Sequence, residues 1–423
     1  MKSLAIISII GLALAIILGF TRNANVGIIS IGIAFIISQF YGISANEIIS
    51  GFNTSLFLTM LGVTYLFSIV NSNDTLTITA KKIVKSVGKK TWLLPIVLFI
   101  MGFFMSFIGP GAIPCLAIMP IIAVPIALQS GFNPIMLSII GIKGAQAARM
   151  SPITPEGILV HQLLAEQGIL DAVNPVFISM FLMASINAIV AFIVYKGWKP
   201  KKSIEVEEET LPKFNSSQII SIVGLLTMMV CALFFKMNVG LVAFTIGSIL
   251  VILGVVEDSK AIKAVPWNVL LLVTGVGILM EIILQSGGID IIISALSSVM
   301  SEKTSAPIMV LVSGIMSFFS SGLGVVFPTL IPTVSGITAN VGGISNAIEL
   351  ASMVVIGGTF TGISPISTAG ALIMAAISSN EEATKLYPNN KIFTELFGWA
   401  FLYLIVDALV TFTGIFNFIA TTF

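Results

Sequence analysis

Long apolar runs separated by short polar loops set the pattern of this chain. A helix needs about 20 apolar residues to cross the hydrocarbon core of a bilayer. Runs near 3–20, 25–43, 54–71, 134–165, 173–195, 217–235, 238–256, 266–285, 345–379 and 393–420 each predict such a span. Two further apolar stretches, 92–129 and 305–338, hold two helix-length runs around a Gly- or Ser-rich centre: Gly109-Pro110-Gly111 and Ser320-Ser321-Gly322. Lipid cannot satisfy the backbone groups that such a break frees, so breaks persist only inside protein or beside a wet cavity. Both stretches therefore predict re-entrant hairpins with their tips near the midplane; two ordinary spans joined by a short turn are the alternative.

The chain also resembles itself. MSFIGPGAIPCLAIMP at 105–120 parallels MSFFSSGLGVVFPTLIP at 316–332, and SPITPEG at 151–157 parallels SPISTAG at 364–370. Asn53 and Gly62 sit in a span like that around Asn268 and Gly277. Each such span is followed by an amphipathic segment, with Leu76, Ala80, Ile83, Val84 and Val87 on one face of the first, and Ile289, Ile292, Ile293, Leu296, Val299 and Met300 on one face of the second. The expected architecture is all-α and polytopic: a first repeat over 1–195, a linker over 196–215 on the cytoplasmic side, and a second repeat over 216–423. Each repeat has five spans and one hairpin. An odd number of spans inverts the second copy, an arrangement common in secondary transporters.

Composition and charge support this reading. Only 9 % of residues are charged, against roughly 25 % in a soluble domain. With loops 21–24, 72–91, 196–216, 257–265 and 380–392 in the cytoplasm, 15 of the 20 basic residues lie on that side. Both termini are then outside, in a multi-pass protein of the cell membrane whose first apolar run is retained as a helix. A net charge of +1 gives no footprint for nucleic acid. A single histidine, His161, and the distant Cys115 and Cys231 supply no zinc site and no nucleophile–base pair, so an enzyme is not expected.

The chemistry concentrates at the interruptions. Proline breaks the apolar runs at SPITPEG (in 134–165) and SPISTAG (in 345–379). With the hairpin tips, these create helix N-termini near Ala112, Glu156, Leu323 and Ala369. Each N-terminus carries about half a positive charge and free N–H groups, so converging N-termini suit an anion. The candidate substrate-binding set is Gly109, Pro110, Gly111, Arg149, Ser151, Thr154, Ser320, Ser321, Gly322, Ser364, Ser367 and Thr368. Ser106, Gly109, Ser317, Ser320 and Ser321 are candidates for Na⁺, and Thr329 adds a hydroxyl nearby. Intramembrane charges are paired or functional by default. Arg149 either neutralises part of a dianion or pairs with Glu156, and Glu156 is the candidate proton carrier. Lys143 is expected to snorkel to the cytoplasm. Glu281, Glu349 and Asp407 receive no role.

The segment GFNTSLFLTMLGVTYLFSIVNSNDTLT at 51–77, the hairpin at 105–120 and the SPITPEG break resemble the malonate-carrier type of dicarboxylate transporter. The doubled plan resembles the wider ion transporter superfamily, which includes the divalent-anion/sodium symporters. That resemblance implies a scaffold, a moving transport domain with both hairpins, an elevator mechanism and a scaffold-mediated homodimer. The sodium symporters carry Ser-Asn-Thr at their tips; both tips here lack asparagine. The expected function is secondary transport of small carboxylates, C3–C4 dicarboxylates such as malonate or succinate, coupled to Na⁺ or H⁺. A cation/proton antiporter on the same scaffold is the alternative.

Overall fold

The computed structural model describes residues 2–22, 24–75, 78–79, 82, 90–109, 111–198, 213–342, 346–365, 367–378 and 380–423. Every regular element among them is helical. The first half runs α1 (Lys2–Arg22), α2 (Val26–Tyr41), α3 (Ala45–Ser50), α4 (Thr54–Ser72), α5 (Leu94–Phe107), α6 (Ala112–Ser130), α7 (Pro134–Ala147), α8 (Pro155–Ala165) and α9 (Val173–Val194). The second half runs α10 (Ser216–Leu233), α11 (Val239–Ile252), α12 (Asp258–Ala264), α13 (Trp267–Gln285), α14 (Gly288–Ser297) and α15 (Ser305–Phe319). A π-helical segment over Gly322–Val326 leads to α16 (Phe327–Leu330) and α17 (Val334–Val341). Then come α18 (Ala347–Phe360), α19 (Thr368–Ser378), α20 (Glu381–Leu386), α21 (Asn389–Thr411) and α22 (Ile415–Thr422).

Among the described residues, seven helical stretches are long and apolar enough to cross a membrane: 54–72, 112–130, 173–194, 267–285, 322–341, 347–378 and 389–411. Large apolar side chains such as Phe35, Phe40, Leu226, Ile252 and Phe401 are exposed on the outer surface. A water-facing surface rarely carries so many, and a lipid-facing one must. The chain is a multi-pass membrane protein. Three expected boundaries move. The span near 238–256 shortens to α11, which ends before Gly254 at φ +73°. The span near 393–420 divides at Gly414, φ +72°, into α21 and α22. The second amphipathic segment ends at Ser297, so Val299 and Met300 lie past the helix. The five apolar positions of the first amphipathic segment, and most of the 196–215 linker, lie outside the described residues.

The two halves share local devices at a constant spacing. Asn25 caps α2 and Asn238 caps α11, 213 positions apart; Asn133 caps α7 and Asn346 caps α18 at the same offset. In each case the side-chain oxygen accepts from N–H groups of the first turn, which is what an N-cap asparagine supplies. Tertiary contacts repeat too. Helix α4 packs on α11, and α13 packs on α2. At the first crossing a Cβ on Gly62 would strike the carbonyl of Gly240; at the second, a Cβ on Gly275 would strike the carbonyl of Gly27. Glycine lets these backbones touch, as small residues do where membrane helices cross closely. The structural counterpart of Gly62 is thus Gly275. Gly277, expected from sequence, meets only a distant Gly51 carbonyl.

The hairpins seat on the broken helices in parallel fashion. Helix α5 packs along α7, and α15 along α18. Gly102 abuts the Gly141 carbonyl, and Gly314 approaches Thr361 and Leu404. These seats bring two hairpin tips and two helix breaks into one region.

Candidate functional site

The four interruptions sit where the sequence places them, and their new helices start at Ala112, Pro155, Gly322 and Thr368, each within one residue of expectation. The two breaks share one construction. Thr154 Oγ1 donates to the carbonyls of Arg149 and Ser151 at 2.6 and 2.7 Å, and Ser367 Oγ bonds the carbonyls of Gly362 and Ser364. Gly157 and Gly370 follow, and a Cβ on either would collide with the carbonyl of Ser151 or Ser364. Hydroxyl and glycine together close a tight backbone turn that replaces the missing helix hydrogen bonds.

Between the breaks and the second tip lies a cavity of about 250 Å³. Arg149, Ser320, Ser321, Gly322, Ser367 and Thr368 of the expected set line it. Gly109, Gly111, Ser151, Thr154 and Ser364 do not form its lining, and Pro110 lies outside the described residues. Ser151 and Ser364 are fully buried; Ser151 Oγ reaches the Phe107 carbonyl at 3.5 Å, and Ser364 Oγ has no partner among the described residues. Of the Na⁺ candidates, Ser317 Oγ donates to the Gly358 carbonyl at 2.8 Å and Ser320 Oγ to the Met316 carbonyl at 2.7 Å, whereas the buried Ser106 Oγ has no partner among the described residues. Thr329 Oγ1 donates to the Val325 carbonyl of the preceding π-helical segment.

The sequence missed Gln146, Thr359, Gly358 and Gly362, which also line the cavity. Arg149 Nη1 donates to Thr359 Oγ1 at 3.1 Å, and Gln146 Nε2 to the Thr359 carbonyl at 3.4 Å. A signal was present: Gln146 and Thr359 are 213 positions apart, the offset of the breaks themselves.

The electrostatics divide the site into unequal halves. Arg149 Nε lies 3.4 Å from Glu156 Oε1, and Glu156 Oε1 also accepts from the Ala112 N–H at 3.2 Å. The first hairpin's helix N-terminus is therefore occupied by a carboxylate of the chain itself. Gly111, at φ +71°, makes room, since a Cβ there would run into that carboxylate. The expected convergence of four equivalent N-termini is corrected accordingly. The N-terminal residues of the second hairpin's return arm and of α19, namely Gly322, Leu323, Thr368 and Ala369, face the cavity. With the Arg149 guanidinium beside them, they make its positive wall. Phe327 lies under that guanidinium, 5.5 Å from ring centroid to Cζ.

Lys143 does not snorkel. It is fully buried, with Nζ 4.4 Å from the Phe360 ring centroid and 4.0 Å from that of Tyr403. Asp407 is also fully buried. Cys115 is a buried free thiol packed in the core, and Cys231 is free and partly exposed. No group of three or more His, Cys, Asp or Glu is arranged for a metal ion among the described residues.

No curated protein matches the chain in sequence. Among solved structures, the Alcanivorax borkumensis YdaH transporter, described as having an unusual topology, superposes with a TM-score of 0.60. The match covers 89 % of this chain and 88 % of that one at 10 % identity, so the likeness is one of fold. The resemblance to dicarboxylate carriers read from 51–77 and from the first hairpin is borne out over the first third of the chain. Residues 2–149, from the first helix through that hairpin to Arg149, match the family described as the dicarboxylate carrier protein MatC N-terminus.

Proposed function

We propose that the protein is a secondary active transporter of small carboxylates, with C3–C4 dicarboxylates of the malonate or succinate kind as substrates. The observation that carries this reading is the cavity in which the Arg149 guanidinium meets two helix N-termini and the hydroxyls of Ser320, Ser321, Ser367 and Thr368. One carboxylate of the substrate takes Arg149 and Thr359; the other takes the N–H groups at Gly322–Leu323 or Thr368–Ala369. A carboxylate accepts several such bonds at once, and charge-assisted ones are the strong ones.

Movement follows the inverted-repeat plan. The reciprocal crossings of α4 with α11 and α13 with α2 make a scaffold, which also forms the homodimer. The two hairpins, re-entrant with tips near the midplane, travel with the broken helices as an elevator. Both termini lie outside, in the cell membrane. Na⁺ or H⁺ supplies the driving gradient, with Glu156 as the proton carrier. Uptake of labelled malonate and succinate by proteoliposomes holding the purified chain tests the reading. Saturable uptake that other dicarboxylates compete away is expected. No uptake or exchange of any C3–C4 dicarboxylate overturns it.

A further inference from the structure

Behind the cavity lies a second ionisable cluster that the site does not use. Lys143 comes from α7, Asn187 from α9, and Tyr403 and Asp407 from α21. All four are fully buried. Asn187 Nδ2 donates to Asp407 Oδ1 at 2.9 Å, and Tyr403 Oη donates to the Asn187 carbonyl at 3.2 Å. Lys143 Nζ lies over the Tyr403 ring, and Tyr403 stands one helical turn before Asp407 on α21. Yet Lys143 Nζ, Asp407 Oδ2 and Asn187 Oδ1 have no hydrogen-bond partner among the described residues. A purely structural ion pair repays its desolvation by saturating those atoms with direct bonds. Here Lys143 and Asp407 make no direct bond among the described residues, and a carboxylate oxygen stays open.

The elements packed around the cluster carry few other charges. Helices α5, α9, α15 and α22 contribute no titratable side chain, and α6 contributes only Cys115. Glu349 of α18, beside its N-cap, and Lys391 and Glu395 of α21 lie in the first two turns of their helices, away from the buried middle. Besides Glu349, which is buried at the N-terminal end of α18, four charged side chains are buried among the described residues: Lys143 and Arg149, Glu156 and Asp407. They sum to zero when all are ionised. A dianion adds two negative charges, and carrying net charge through a bilayer is costly. The sum returns to zero when both carboxylates take up a proton.

We propose that Asp407, held beside Lys143, is a second proton-binding residue that works in parallel with Glu156, so that one dicarboxylate dianion crosses with two protons and no net charge. The inference rests on the dicarboxylate reading above. Lys143 keeps Asp407 ionised in the empty protein. When the dianion takes Arg149, Glu156 loses its partner and binds one proton; the added negative charge draws the second onto Asp407 Oδ2. Asp407 is a coupling residue behind the cavity and touches no substrate.

Proteoliposomes with labelled malonate and a clamped membrane potential test this. In the native protein, an imposed tenfold proton gradient should accumulate malonate about 100-fold, and an interior-negative potential should leave uptake unchanged. Asp407→Asn should keep malonate exchange, lower the accumulation to about tenfold, and make uptake sensitive to potential. Lys143→Met, which removes the cation that keeps Asp407 ionised, should give the same pattern. Two-proton accumulation in Asp407→Asn overturns the proposal. So does native uptake that follows potential, or that follows Na⁺ and ignores the proton gradient; in those cases transport itself stands. Absence of native malonate exchange instead overturns the transport reading, and this inference with it. Should Asp407→Asn not assemble, the potential independence of the native protein still decides.

Discussion

Gln146 Nε2 donates to the backbone carbonyl of Thr359 at 3.4 Å, and the two residues hold equivalent places in the two halves. The bond joins the last turns of α7 and α18 just before their breaks. It thereby fixes how the two interruptions face one another across the cavity. The backbone of Thr359 belongs to that joint, while its side chain belongs to the site, as the acceptor for Arg149.

Thr359→Val separates these two roles. The valine keeps the carbonyl, the shape and the Gln146 bond, and removes the hydroxyl that accepts from the guanidinium and, in the proposed complex, meets the substrate. A hydrogen bond to a charged group contributes about 1.5–3 kcal/mol, so KM for a dicarboxylate should rise about tenfold or more, with a smaller change in maximal rate. Thr359→Ser should restore the native value. Uptake kinetics in proteoliposomes give the readout, and an unchanged KM in Thr359→Val would detach Arg149 from substrate binding.

Arg149 and Glu156 should behave as a unit in stability and as individuals in transport. Arg149→Gln leaves Glu156 buried without its cation, a change that costs about 3 kcal/mol where buried pairs are broken singly. Thermal unfolding of the purified protein should register the loss. Arg149→Gln combined with Glu156→Gln should recover most of the stability, because no unpaired charge remains. It should not recover transport, since the positive wall of the cavity is gone. Transport by the double variant would show that Arg149 is structural.

Gly111 is a test of the occupied helix N-terminus. Its φ of +71° costs an L-residue about 1–2 kcal/mol, and a Cβ would also displace the Glu156 carboxylate from Ala112. Gly111→Ala should lower thermal stability by more than the backbone cost alone. Measured in a Glu156→Ala background, which is itself lowered by the unpaired Arg149, the same substitution meets no carboxylate and should cost only the backbone part. If Gly111→Ala unfolds at the native temperature, the carboxylate does not sit at that tip.

Much of this arrangement was legible in the residues. Hydropathy gave the helices, because lipid demands long apolar runs. Prolines and glycines gave the four interruptions, because they remove donors or permit backbone that other residues resist. The offset between SPITPEG and SPISTAG recurs between the caps Asn25 and Asn238 and between Asn133 and Asn346. What escaped was partnership. Nothing local in PEG at 155–157 tells that Glu156 reaches back to Ala112, 44 positions earlier. Lys143 read as a snorkelling residue because a lone lysine near a span end usually is one. Only the fold puts two aromatic rings and Asp407 around it. Ser151 and Ser364 were marked by their motifs, yet a turn that buries its serines leaves the lining to Ser367, Thr368 and the unmarked Thr359.

The glycine crossings carry the last prediction. Gly62 meets Gly240 and Gly275 meets Gly27 with backbone against backbone, so no side-chain movement can relieve an added group. Overpacking a well-packed site costs about 1–3 kcal/mol, and contacts with backbone fall at the upper end. Gly62→Leu and Gly275→Leu should each depress the unfolding temperature strongly, and by similar amounts, because the two crossings are equivalent. Gly32→Ala is the control: nothing lies within 4 Å of its added methyl, and alanine favours a helix over glycine by about 1 kcal/mol, so it should be neutral or stabilising. Thermal unfolding in one detergent compares all three. A loss at Gly62 without one at Gly275 would mean that the two crossings are not equivalent.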